Sequence, residues 1–259
     1  MNYWTKLSVD YANQRNYLDD LFQVYPTIPE GIRNINELTW RAIETAFNKK
    51  DDDELIRLLL RLDLFPIKDS YVAYLKRDPS SIDRNPKTIS RLCGRLREMG
   101  IDKIYEKCSE PKETNRQIGP LFRNWLRKGT LGAPVQTLGK FLSLKDNAIL
   151  DAGDAEMMGF ASKHLNYKRE KGLDFVARFN GKYIIGEAKF LTDFGGHQNA
   201  QFKDGISTLE APNVKATIIG IFDGVCYIKG GNQLYTYFER THNYNIMSAL
   251  VLREFLYQV

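Results

Sequence analysis

One stretch constrains this chain more than any other. Gly172-Leu-Asp-Phe-Val-Ala-Arg-Phe179 is followed by Asn180-Gly181 and then by Lys182-Tyr-Ile-Ile-Gly-Glu-Ala-Lys-Phe190. Two runs rich in β-branched and aromatic residues, joined by Asn-Gly, specify a tight β-hairpin. Side chains alternate along a strand, so Glu187 and Lys189 project from one face together with Tyr183 and Ile185. Ile184, Gly186, Ala188 and Phe190 form the other face. A carboxylate and an ammonium thus emerge from an apolar strand, where burying charge is costly unless the charges pair or hold a metal. With Asp174 on the adjoining strand, two readings fit these residues. In one, Lys189 neutralises Asp174 and Glu187 in a cross-strand ion pair. In the other, the two carboxylates converge on a hard divalent cation with the lysine beside it. The apolar strand, the tight turn, an acidic helix upstream and a polar helix downstream favour the second. Mg2+ suits a small number of carboxylates completed by water and phosphate oxygens.

The surroundings of the hairpin read as a mixed sheet flanked by helices, an α/β (α+β) arrangement. A helix is expected over 151–165, with Asp151 and Asp154 in its first turn, and another from Gln198 to about Leu209. Residues 214–222 form a buried-type strand, 225–228 and 234–238 shorter strands, and 246–257 a closing helix. The first half is largely helical. Leu38, Ala42, Ile43, Ala46 and Phe47 share one face of a helix capped by Asn36, residues 53–62 form a second, and Pro86 opens a third that stops at Gly100. This divides the chain into a mostly helical region, 1–130, and a core, 131–259.

Charge is unevenly spread. The whole chain carries 37 Lys and Arg against 32 Asp and Glu, a net +5, but residues 66–150 alone carry 17 against 9. An excess gathered in one region is the pattern of a chain that meets a polyanion, and its arginines suit phosphate and guanine. Arg84, Lys87, Arg91 and Arg95 lie on or beside the 86–99 helix, above a stripe of Ile89, Leu92 and Leu96. Such a helix enters a DNA groove or presents a solvated face. Arg116 and Arg123 continue the basic region.

No apolar run approaches the roughly 18 residues of a membrane span, and the first 17 residues lack the apolar stretch of a signal peptide. Cys93, Cys108 and Cys226 are widely separated and read as reduced thiols of a cytoplasmic protein. There is no GxxxxGK[ST] loop, so no nucleotide cofactor is expected.

Gly172-Leu-Asp174 followed by Gly186-Glu187-Ala-Lys189 resembles the PD-(D/E)XK nuclease motif, with Leu173 where the family name has proline. The segment 186–202 is similar to type II restriction endonucleases of that superfamily, and the resemblance covers about residues 150–225. It implies a restriction-endonuclease-like fold and a Mg2+-dependent hydrolase. Such an enzyme cuts both strands of double-stranded DNA at a short sequence, usually as a homodimer, in a prokaryotic cytoplasm. In that role Asp174 and Glu187 ligate Mg2+, and the metal lowers the pKa of an attacking water and screens charge on the phosphate. Lys189 holds or activates that water, or stabilises the transition state. A further carboxylate often comes from the preceding helix; Glu156 is the candidate, with Asp154 second. Gln198 and Gln201, on the helix after the lysine strand, are placed close to DNA, and His197 is given no catalytic role. Two other functions fit the residues: a repair or junction-resolving nuclease of the same fold, and a non-catalytic DNA-binding protein that uses the hairpin structurally.

Overall fold

The hairpin is the centre of the architecture. A computed structural model describes residues 1–14, 16–26, 33–111 and 117–259. Asn180 and Gly181 both take positive φ, 51° and 76°, which brings Phe179 opposite Lys182 without splaying the strands. A residue with a side chain is strained at such φ, which is why glycine follows asparagine here.

The chain forms two compact units, one of residues 1–28 and 114–259, the other of residues 29–113. In chain order, the first unit begins with helices α1 (Tyr3–Ala12) and α2 (Tyr17–Val24). The second holds α3 (Glu37–Lys49), α4 (Asp52–Leu60), α5 (Val72–Arg77), α6 (Ser81–Arg84), α7 (Pro86–Met99) and α8 (Ile101–Ser109). The first unit then resumes with α9 (Ile118–Arg127), β1 (Val135–Gln136), α10 (Leu138–Ser143), β2 (Ala148–Leu150) and α11 (Asp154–Leu165). It continues with β3 (Phe175–Phe179), β4 (Lys182–Leu191), α12 (Gly196–Leu209) and β5 (Thr217–Gly224). It closes with α13 (Gln233–Arg240), β6 (Asn245–Met247) and α14 (Ala249–Gln258). The strands form one mixed sheet in the order β1-β2-β3-β4-β5-β6. β1 pairs parallel with β2, β3 runs antiparallel to both β2 and β4, and β4, β5 and β6 are mutually parallel, so α12 is the crossover from β4 to β5. This is the α+β restriction-endonuclease-like class that the sequence implied.

The units do not divide at residue 130. α1, α2 and α9 place Val9, Leu21, Val24, Phe122, Trp125 and Leu126 in the same core as the sheet residues Phe175, Ile184, Ile219 and Ile221. Their apolar residues belong to the sheet, so helical character alone did not mark the boundary. The helical unit has its own core of Ile43, Leu55, Ile56, Leu59, Leu92, Cys93, Leu96 and Ile104.

Several expected elements form as read. Asn36 caps α3 by accepting from the Thr39 amide, and α7 starts at Pro86 and ends at Gly100, where φ is 81°. Others differ. Leu38 and Ala42, expected on the buried face of α3, are exposed, because that face is centred on Ile43 and Ala46. Residues 234–238 are helical rather than extended: Asn232 caps α13, and Leu234 and Phe238, one turn apart, both point into the core. β5 ends at Gly224, where φ is 91°, and residues 225–227 tighten into a 3-10 turn instead of a strand. Ile246 belongs to β6, and the closing helix starts three residues later behind Ser248, which caps it. Among the described residues, no helix is long and apolar enough to cross a membrane. The three cysteines are buried and free.

Candidate active site

The ladder of β3 and β4 pairs Phe175 with Gly186, and one step further along the same register Asp174 stands opposite Glu187. The amide of Asp174 donates to the Gly186 carbonyl at 3.1 Å, and the amide of Ala188 donates to Asp174 Oδ2 at 2.9 Å. The two carboxylates are therefore held together by backbone geometry. In the parallel pairing of β4 with β5, Glu187 lies beside Gly220 and Lys189 beside Phe222. α12 packs over this face: a Cβ on Gly205 would lie 2.6 Å from the Phe222 ring and 3.6 Å from Lys189 Cγ. Only a glycine lets the helix come this close.

Glu187 is 3% exposed. Its Oε1 accepts from Lys189 Nζ at 2.6 Å and faces Lys171 Nζ at 3.2 Å. Its Oε2 is buried and has no hydrogen-bond partner among the described residues. An ionised carboxylate oxygen left bare in the interior is unfavourable unless a further positive group meets it. Asp204 of α12 joins the cluster, its Oδ2 2.9 Å from Lys171 Nζ and 3.5 Å from Lys189 Nζ. Lys171 is further tied to the Asp204 carbonyl at 2.7 Å and to Thr208 Oγ1 at 3.1 Å.

The electrostatics follow from this crowding. Burial, then the neighbouring Glu187 charge, push the Asp174 carboxyl up to about 6, against the pull of the Ala188 amide and Lys189. Burial works against the Lys189 ammonium, but Glu187, Asp174 and Asp204 outweigh it and raise its pKa. For Asp204 burial works upward, and the hydrogen bond and charge of Lys171 overcome it, with Lys189 adding to the effect, so its pKa falls. Asp174 thus takes up a proton more readily than a free aspartate, while the lysine stays charged.

Asp174, Glu187 and Lys189 come together as the sequence suggested. Glu156 does not join them: it is exposed on α11, and among the described residues no group of three or more His, Cys, Asp or Glu is arranged to hold a metal. The α11 carboxylate whose charge reaches Asp174 is Asp154. It is bonded to Arg123, and Arg127 grips Asp151 at 2.8 and 3.0 Å. Gln198 is buried and accepts from the Thr192 amide at 3.3 Å, bracing the connection from β4 into α12. Gln201 bonds His197 at 3.1 Å.

In the helical unit, Arg84 pairs with Asp78 and Arg91 with Asp69, both at 2.6 Å. Arg91 also lies over the Tyr71 ring at 5.6 Å. Lys87 and Arg95 are exposed on α7, and the charge of Arg95 acts on Asp69, the partner of Arg91. Arg116 lies outside the described residues. Lys171 and Asp204 were not singled out from the sequence. Asp204 does fall on one helical face with His197, Gln201 and Thr208, a periodicity that could have drawn attention to it.

The Tsp45I type II restriction enzyme family model matches residues 2–259. No curated protein and no solved structure matches the chain.

Proposed function

The chain belongs to the Tsp45I type II restriction enzyme family, and on that premise we propose that it is a Mg2+-dependent endonuclease. It hydrolyses phosphodiester bonds in both strands of double-stranded DNA at a short sequence, as a homodimer, in the prokaryotic cytoplasm. The observation that carries this reading is the bare, buried Glu187 Oε2 opposite Asp174, with Lys189 on the same face. Two carboxylates rather than three suit a cation that takes its remaining ligands from water and phosphate. When bound, a divalent cation supplies Lewis-acid activation of water and stabilises the charge that builds on the phosphate.

The protein's own groups do the rest. Asp174 and Glu187 give that cation its two fixed oxygens. Lys189 Nζ, charged and close to Glu187, turns to the scissile phosphate or its attacking water, where its three N–H donors meet developing negative charge. Gln198 fixes the strand-to-helix connection, and Gln201 lies on the same α12 for polar contact with DNA. Lys87 and Arg95, exposed on α7, make the first phosphate contacts; Arg84, Arg91 and Arg123 exchange an aspartate for a phosphate or base edge. Arg116 joins this basic set.

Incubation with Mg2+ and phage DNA of known sequence tests the reading. It predicts discrete, reproducible fragments whose ends share one short sequence, and none when the metal is chelated. A smear, or cutting of branched DNA alone, refutes sequence-specific restriction. Sedimentation of the DNA-free protein at twice the chain mass supports the homodimer.

A further inference from the structure

The active-site face holds one cation more than the cleavage reading uses. Lys171 precedes β3 and reaches Glu187 Oε1 at 3.2 Å, the same oxygen that Lys189 holds at 2.6 Å. The two lysines are anchored very differently. Lys171 has three further partners, Asp204 Oδ2 at 2.9 Å, the Asp204 carbonyl at 2.7 Å and Thr208 Oγ1 at 3.1 Å. Apart from Glu187, the one ion-pair partner of Lys189 among the described residues is Asp204 Oδ2, at 3.5 Å. If Lys189 leaves Glu187 for the substrate, a carboxylate 3% exposed would otherwise lose its only close counter-charge.

We propose that Lys171 is a positioning residue for the cleavage reaction: tied to α12, it stays on Glu187 Oε1 when Lys189 moves, and keeps Oε2 turned toward the cation. This rests on the function proposed above. The two lysines divide the labour, one fixed and one mobile, and Asp204 is the post to which the fixed one is tied. The arrangement has an electrostatic consequence that a packing role lacks. A fixed ammonium beside Glu187 repels a bound divalent cation, so removing it favours metal binding even as it harms the reaction.

The test compares Lys171→Met, Lys171→Arg and Thr208→Val with the wild-type protein, using Mn2+ alone as the binding probe, read by electron paramagnetic resonance without DNA. Lys171→Met is expected to cut roughly 10- to 100-fold more slowly in kcat, the range for a residue that orients a metal ligand, with KM for DNA unchanged. The same variant is expected to bind Mn2+ at least about threefold more tightly. Lys171→Arg, which keeps the charge, restores most of the rate, and Thr208→Val, which loosens one anchor, shows a smaller loss in the same direction. Wild-type kcat and unchanged Mn2+ binding in Lys171→Met overturn the proposal. So does a joint loss of Mn2+ binding and thermal stability, which marks a structural residue. If the wild-type protein cuts no DNA, the nuclease reading fails by itself. The Mn2+ measurement then still decides whether Lys171 bears on the Glu187 site, tighter binding supporting it and unchanged binding refuting it.

Discussion

The surface of the helical unit and the buried face of the hairpin handle charge in opposite ways. In the helical unit, acidic and basic side chains meet at the surface, as in Arg41–Glu37, Lys103–Glu106 and Arg84–Asp78. Water solvates both partners, so each pair contributes little and either member is dispensable. In the sheet unit, Glu187 is 3% exposed, stands opposite Asp174, and keeps one oxygen without a partner. There the low dielectric strengthens each interaction and makes an unmet one costly. Paired charges at a surface cost little to lose, whereas carboxylates crowded together out of water favour any positive group that reaches them.

The sharpest way to break that comparison is to remove the buried charges. Glu187→Gln and Lys189→Ala are each expected to reduce cleavage roughly 10²–10⁴-fold, with far-UV circular dichroism and DNA binding in Ca2+ retained. Wild-type cutting by either variant would falsify the site. Next comes pH. Because Asp174 titrates at about 6, protons compete with metal there, and the half-saturating Mg2+ concentration should climb about tenfold per pH unit below about 6. A flat metal requirement from pH 7 to 5 would mean that Asp174 is not a ligand.

The exposed basic residues of α7 give the next test, on the proposed contact with DNA. Lys87→Ala and Arg95→Ala, which remove exposed cations on α7, should each lower the salt dependence of DNA binding by about one unit of slope. Arg84→Ala should change it less, because Asp78 already holds that guanidinium. Equal slopes for all three would place DNA elsewhere.

Stability gives a smaller effect with a definite sign. Asp174 and Asp223 are both raised from 3.8 to about 6, Asp223 by burial against hydrogen bonds from Ser248, Tyr25 and the Ala249 amide. The folded state therefore holds these protons more tightly than the unfolded chain does, and their contribution is lost as pH rises from about 4 to about 6. Asp174→Asn should raise Tm by roughly 2–8 °C at pH 7.5 and by little at pH 4. A gain independent of pH would show that ionisation is not its source. The smallest change is at the surface of the helical unit, where Asn36→Ala removes the α3 cap at a cost of about 1 kcal/mol in chemical denaturation.

Much of the site was legible because it is local. The Asn-Gly turn fixes the hairpin register, and the register puts Asp174 opposite Glu187 and Lys189 on the Glu187 face. Lys171 and Asp204 were hidden because their meeting depends on how α12 seats against β4, a contact made possible at Gly205 and read in no spacing. The helix pattern favoured Glu156 over Asp154, and only the packing of α11 makes Asp154 the one whose charge reaches Asp174. The excess of positive charge in residues 66–150 was visible, but not that Arg84, Arg91 and Arg123 are already bonded to aspartates. Residues 234–238 alternate like a strand, yet the buried pair Leu234 and Phe238 at one-turn spacing made them a helix.

Residues close together in the sequence were enough to specify the hairpin, its two faces and the face on which Glu187 and Lys189 lie. These follow from φ preferences and alternation, which act over a few residues. Tertiary structure decided which helices belong to the sheet, which arginines are free, and how the buried carboxylate is held. Those outcomes depend on burial and distance between segments far apart in the chain, and a charge acquires its meaning only when its neighbours and its access to water are fixed.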